Sequence, residues 1–232
     1  RSIITCAKSA GEPNHNDAYG PYNLALHVGD EAAKVTACRK LLASQTQVDH
    51  WQWLNQVHGT CVIPAQKHGK ITNADASFTQ QKKLVCAILT ADCLPILLCN
   101  QQGSQVAAAH AGWRGLAAGV LEATCQTFSP NDKIIAFLGP AISQQAFEVG
   151  AEVKAAFVQA IGCQATNCFS PNPLKKGHYF ADLYALARIK LTRLGITSIS
   201  GGEYCTFNNP RFYSFRRQNI TGRFVSAIWL DD

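Results

Sequence analysis

The sequence predicts a single α/β domain covering residues 1–232, with central mixed β-sheets packed between outer helices. Three observations lead there. Residues 84–89, 94–98 and 105–109 are short apolar runs bounded by polar residues or glycine, as buried strands are. Such runs alternate with stretches that carry apolar residues at helical spacing. No internal repeat, low-complexity tract or linker divides the chain.

Taken in order, residues 31–44 follow Asp30 as an N-cap and place Val35, Cys38, Leu41 and Leu42 on one helical face. Residues 51–57 alternate as a half-buried strand, His58-Gly59-Thr60 reads as a turn, and Cys61 begins a second strand, which puts His58 at a hairpin-like tip. The three apolar runs follow, each ending at reactive side chains. Pro95 lacks a ladder donor and so predicts a bend that presents Cys93. Residues 116–128 read as one helix packed through Leu116, Val120, Leu121 and Phe128, with Gly119 marking close packing. A strand over 134–138, helices over 151–161 and 182–194, and a strand over 224–230 complete the pattern, with 170–177 as a surface loop.

Composition narrows the function classes. The net charge of +6 lies in short pairs such as Lys82-Lys83 and Arg216-Arg217, without the basic stripe and interleaved aromatics of a nucleic-acid groove. Ten cysteines are scattered with no CxxC pair, which predicts reduced thiols and a cytoplasmic setting rather than a disulfide framework. No stretch approaches the roughly 18–20 apolar residues of a membrane span, and the first residues lack the apolar core of a signal peptide. The expected partners are therefore small molecules, with no nucleic acid and no membrane, and the expected state is a monomer or small homo-oligomer.

Three residues at predicted strand ends form a candidate metal set: His58, Cys93 and His110. Zinc takes imidazole and thiolate readily, and three protein ligands leave a fourth position open for chemistry. Asp92, beside Cys93, is the candidate carboxylate to orient a ligating histidine and to carry a proton. The segment His110-Ala-Gly-Trp-Arg-Gly leaves a strand and enters a helix, so Gly112, Arg114 and Gly115 are candidates for holding an anion. Asn55, Gln56, Arg216 and Arg217 are candidate lining residues; Asp75 reads as a turn cap, and His15, His27, His50, His68 and His178 as surface positions. Plainer readings stay open at this point: a solvated turn histidine, a small core cysteine and an ordinary glycine-rich turn.

The motifs Asn55-Gln-Val-His-Gly-Thr60, Thr90-Ala-Asp-Cys-Leu-Pro95, His110-Ala-Gly-Trp-Arg-Gly-Leu-Ala-Ala-Gly119, Leu138-Gly-Pro-Ala-Ile142, Phe212-Tyr-Ser-Phe-Arg-Arg217 and Thr221-Gly-Arg223 together resemble the YfiH family. These bacterial proteins were once labelled polyphenol oxidases or laccase-domain proteins and are now described as purine nucleoside phosphorylases. The resemblance implies zinc on His58, Cys93 and His110. It also implies phosphorolysis of adenosine, inosine, guanosine and methylthioadenosine to the free base and ribose 1-phosphate or its methylthio analogue, with adenosine deamination as a second activity. For deamination, zinc would lower the pKa of water to about 7, with Asp92 the nearest proton carrier. The sequence departs from the family near its start, where Lys8 stands in place of an expected arginine; a lysine offers a point charge to phosphate, not a planar fork. Three rivals remain. A copper oxidase would want a weak axial methionine, and the chain has no Met. A metal-free cysteine hydrolase would use Cys93 and His110 as nucleophile and base. A non-catalytic protein would bind purine or metal in the same pocket.

Overall fold

The computed structural model describes residues 1–6 and 18–232. Lys8 and His15 lie outside these residues. Two sheets stack face to face and helices cover the outer faces, giving four layers. The smaller sheet has the order Ser2–Ile4, Phe224–Ile228, Leu84–Thr90, His50–Gln52. The larger has the order Ser198–Gly201, Ile134–Leu138, Leu94–Asn100, Val106–Ala111, Ala76–Thr79, Val62–Pro64. Both mix parallel and antiparallel pairs.

Strand periodicity explains the layering. In Leu84–Thr90 every residue is buried, because both faces are covered. Leu84, Cys86 and Ile88 face the larger sheet and pack with Leu97, Val106 and Ala108. The alternate residues Val85, Ala87 and Leu89 pack outward with Leu42 of the helix Ala32–Thr46 and with Trp229. On the far side, Leu94, Ile96 and Leu98 meet Leu116, Leu121, Phe157 and Leu186 from the helices Trp113–Ala118, Val120–Cys125, Ala151–Ile161 and Leu183–Arg193. Fully burying each such leucine or phenylalanine contributes about 1.5–3 kcal/mol.

Four local expectations are corrected. The residues flanking His58 do not form a hairpin: His50–Gln52 pairs in parallel with Leu84–Thr90, and Val62–Pro64 pairs in parallel with Ala76–Thr79. The chain therefore crosses from one sheet to the other at His58. The helix over 116–128 is two helices, broken where Gly119 takes φ 111°, so this glycine serves a left-handed turn rather than close packing. Asp30 does not cap the first helix; Glu31 occupies that position, and Asp30 accepts the Glu31 N–H instead. Pro95 lies inside the strand Leu94–Asn100 at its second position, and the bend falls before it, at Asp92. By contrast, Ile134–Leu138 and Ala151–Ile161 form as the sequence predicts, and Asp182 caps Leu183–Arg193 by accepting the Ala185 N–H.

Candidate metal centre

The order of the larger sheet gathers the chemistry at one end. Cys93 directly precedes the strand Leu94–Asn100, and His110 sits near the exit of its antiparallel neighbour Val106–Ala111. Asp75 directly precedes Ala76–Thr79, the neighbour on the other side, so the register that pairs Ala76 with Ala109 brings Asp75 beside His110. His58 lies just before the parallel edge strand Val62–Pro64. Antiparallel exits and entrances thus bring four segments together.

The donor atoms of His58, Cys93 and His110 all lie within 4.8 Å of one another, with Cys93 Sγ 3.8 Å from His58 Nε2. A tetrahedral ion with usual Zn–S and Zn–N lengths would separate such donors by about 3.6 Å. Gly112 supports the fit. A Cβ there would meet His58 Cδ2 at 3.0 Å and Cys93 Sγ at 3.1 Å, so a side chain would fill the space between the donors.

Asp75, fully buried, sets the geometry of two donors. Its carboxylate accepts the backbone N–H groups of His58 at 2.9 Å and Gly59 at 2.7 Å, which holds His58 at φ 60°. It also lies 2.8 Å from His110 Nδ1, so Nδ1 carries the proton and Nε2 is left to ligate. Burial alone would raise the Asp75 pKa, but the hydrogen bonds from His110, Gly59 and His58 outweigh it and hold the group below the ordinary carboxylate range. For Cys93, too, burial opposes ionisation, yet His110 and His58 bring the pKa down to about 6. His110 moves the other way: burial would lower it, but Asp75 and Cys93 raise it. The thiolate is the form that binds metal.

Asp92 has another task. It adopts φ 95°, a conformation that costs a non-glycine residue about 1–3 kcal/mol, and it is over-determined by three contacts. Its Oδ1 accepts the Thr206 hydroxyl at 2.6 Å, its Oδ2 accepts the Arg216 N–H at 2.7 Å, and its carbonyl accepts the Ile142 N–H at 2.9 Å. The expectation that Asp92 orients a histidine of the cluster is thereby corrected: Asp75 holds the His110 ring. Nothing in Ala74-Asp75-Ala76 marks this role except a carboxylate set among small residues at the start of a buried strand.

A cavity of about 550 Å³ opens on the cluster. Gln56 reaches its wall but is clasped to the backbone, donating to the Leu89 carbonyl and accepting the Leu89 N–H, both at 2.8 Å. Arg216 also lines it, with its guanidinium donating to the carbonyls of Ala146 and Glu148. Arg217 is used up on the carbonyls of Thr206, Phe207 and Phe212, and Asn55 pairs with Asn73 on the surface, so neither lines the cavity. Gly115 is buried in backbone packing, where a Cβ would meet the Gly59 carbonyl at 2.7 Å. Arg114 is exposed at the rim, its guanidinium 4.4 Å from the Trp113 ring centroid, with no hydrogen bond to any described residue. The helix it belongs to has six residues, so the charge offered to an anion here comes from Arg114 itself. His27, Phe215 and Arg223 complete the wall and were not expected there. Burial lowers the Arg223 pKa, while the charges of Cys93 and Asp92 act to raise it.

Residues 6–231 match the family described as multi-copper polyphenol oxidoreductase laccase. Two relatives carry a different name: a purine nucleoside phosphorylase of Pseudomonas aeruginosa, 48% identical over 90% of this chain and 86% of that one, and the purine nucleoside phosphorylase YfiH of Escherichia coli, 46% identical over 91% and 87%. The chain belongs to the YfiH family. Among solved structures, a Neisseria meningitidis protein matches with TM-score 0.91 and 42% identity over 100% of this chain and 94% of that one. The Bacillus licheniformis hypothetical protein YfiH matches with TM-score 0.88 and 27% identity over 99% and 92%. For this YfiH-family chain, the multi-copper description finds only one group of three histidine, cysteine or acidic donors among the described residues. No helix among those residues is long and apolar enough to cross a membrane.

Proposed function

We propose that this chain is a zinc-dependent purine nucleoside phosphorylase. It would cleave adenosine, inosine, guanosine and methylthioadenosine with phosphate, release the base and ribose 1-phosphate or its methylthio analogue, and deaminate adenosine as a second activity. The observation that carries the reading is a nucleoside-sized cavity opening on a His58/Cys93/His110 cluster, in a chain 48% identical to a protein named for that activity. When bound, zinc supplies a Lewis acid beside the reacting atoms. Arg114, stacked on Trp113 and without a hydrogen bond to any described residue, supplies a planar fork for phosphate at the rim. Gly112 keeps the space among the donors clear. Asp92 acts as a positioning residue, since both of its oxygens already accept hydrogen bonds that tie the Cys93 bend to Thr206 and Arg216.

Elemental analysis of purified protein, paired with phosphate-dependent cleavage of inosine and adenosine before and after Cys93→Ala, tests this. One zinc per chain, with metal and cleavage both lost in the variant, is the expected result; stoichiometric copper would sink it in favour of an oxidase. A second reading has its own support, because Cys93, His110 and Asp75 form a thiol–imidazole–carboxylate series. In that case turnover survives chelation and stops on thiol alkylation. Stoichiometric zinc and nucleoside binding without turnover would leave a binding protein.

A further inference from the structure

Two neighbouring groups on the cavity wall, Phe215 and Arg223, are left without a task by the metal cluster and the phosphate fork. Phe215 is a large apolar side chain left 49% exposed on the lining of the cavity, against the usual tendency of phenylalanine to be buried. The Arg223 guanidinium lies over this ring, with Cζ 5.8 Å from the Phe215 ring centroid. Only Nη1 of Arg223 is engaged, with the carbonyls of Thr221 and Gly222; among the described residues Nε and Nη2 have no partner. The two other guanidiniums on the lining differ. Arg216 is held by two backbone carbonyls, and Arg114 is at the rim, stacked on Trp113 and shared with a second hollow of about 480 Å³.

An exposed aromatic face next to a guanidinium edge with free donors matches a flat, nitrogen-rich ring. Aromatic stacking holds a base by about 1–3 kcal/mol whatever its identity, and an arginine fork reads the N7 acceptor at a purine edge. We infer that Phe215 and Arg223 form the purine subsite, with the base stacked on Phe215 and its N7 accepting an N–H from Arg223. This rests on the phosphorylase reading and adds to it. As phosphate oxygen bonds to C1′ of the sugar, the C1′–N9 bond breaks and its electron pair stays on the purine. Arg223 keeps its own proton and stabilises the charge that spreads to N7. The proton given up by hydrogen phosphate ends on the released base. The N7 contact is common to adenine, hypoxanthine and guanine, so the subsite accepts all three.

The test is calorimetric binding of inosine and 7-deazainosine, whose N7 is a C–H, in phosphate-free buffer to the metal-replete protein and its variants. The wild type is expected to bind inosine about tenfold more tightly, the equivalent of about 1.4 kcal/mol. Arg223→Met should bring the ratio close to one, and Arg223→Lys should restore part of it. Phe215→Ala should weaken both ligands about equally by about tenfold, and Phe215→Tyr should restore both. Unchanged metal content in each variant separates a local loss from unfolding. A ratio unchanged in both Arg223 variants overturns the N7 contact even if inosine binds. Failure of the wild type to bind any purine nucleoside overturns the phosphorylase reading and this subsite with it.

Discussion

The metal cradle and the arginine-bearing wall beside it are built from loops at one end of the same sheets, yet they are fixed by different forces. In the cradle, a single fully buried carboxylate, Asp75, holds the backbone at His58 and Gly59 and the ring of His110. On the wall, Arg216 is tied by its guanidinium to neutral carbonyls, and Arg114 by a ring face alone. The cradle has little slack at Asp75, because this carboxylate is out of water and its loss leaves the N–H groups of His58, Gly59 and His110 unpaired. The wall is closer to solvent and can lose a side chain with little change elsewhere. The difference teaches that stability and metal retention are coupled through Asp75 in the cradle, whereas on the wall binding can change while the fold does not.

The largest effect is therefore expected at Asp75. Asp75→Ala removes the acceptor for several N–H groups and the partner of His110 in a fully buried place, so unfolding free energy should fall by about 3–5 kcal/mol. Metal affinity should drop by about 10–100-fold. Denaturant unfolding and a chelator competition measure the two, and an unchanged zinc affinity would show that His110 does not need its carboxylate. Gly112→Val comes next. A Cβ meets two donor side chains at 3.0 and 3.1 Å, so the protein should fold and purify with little metal; full metal content would place the ion elsewhere.

Much of the scaffold under this contrast is legible in the sequence, and the reason is local. In Leu84–Thr90, Leu94–Asn100 and Val106–Ala111 the apolar runs are short and bounded, and burial on both faces leaves no other reading. Ala151–Ile161 carries Val153, Phe157 and Ile161 at four-residue spacing, which only a helix puts on one face. What escapes is set by long-range pairing. The alternation around residue 51 predicts a strand, but only the docking of His50–Gln52 against Leu84–Thr90 decides that no hairpin follows. The donors His58, Cys93 and His110 could be named because each stands at a strand end within a family motif. Their orienting carboxylate could not, since adjacency suggested Asp92. Successive residues point apart, and Asp92 turns toward Thr206 and Arg216, while the cross-strand register that pairs Ala76 with Ala109 brings Asp75, 35 residues away in sequence, to His110.

A smaller effect is expected where cradle and wall meet. Thr206→Val removes the hydroxyl that Asp92 Oδ1 accepts and leaves a buried carboxylate oxygen short of a donor. The cost should be about 1–3 kcal/mol, a fall in melting temperature of about 2–4 °C for each kcal/mol. Metal content should stay at the wild-type level, because no donor is touched, while kcat falls as the Cys93 bend loses its tie to Thr206 and keeps only the one to Arg216. Loss of metal together with stability would mean that Asp92 belongs to the cradle after all.

The smallest effect on the fold, and the most selective on binding, is expected at Arg114. Its guanidinium makes no hydrogen bond to any described residue and lies over an adjacent ring, so Arg114→Ala should unfold at the wild-type midpoint and keep its metal. Charge-assisted contacts to an anion contribute about 1.5–3 kcal/mol, so the KM for phosphate should rise by about tenfold or more while the KM for inosine stays close to its original value. Arg114→Lys should recover part of the loss, since an ammonium replaces the charge but not the fork. If the KM for inosine rose instead, and Arg223→Met raised that for phosphate, the two ends of the cavity would be exchanged: the stacked arginine at the rim would read the base, and the one beside Phe215 would hold the anion.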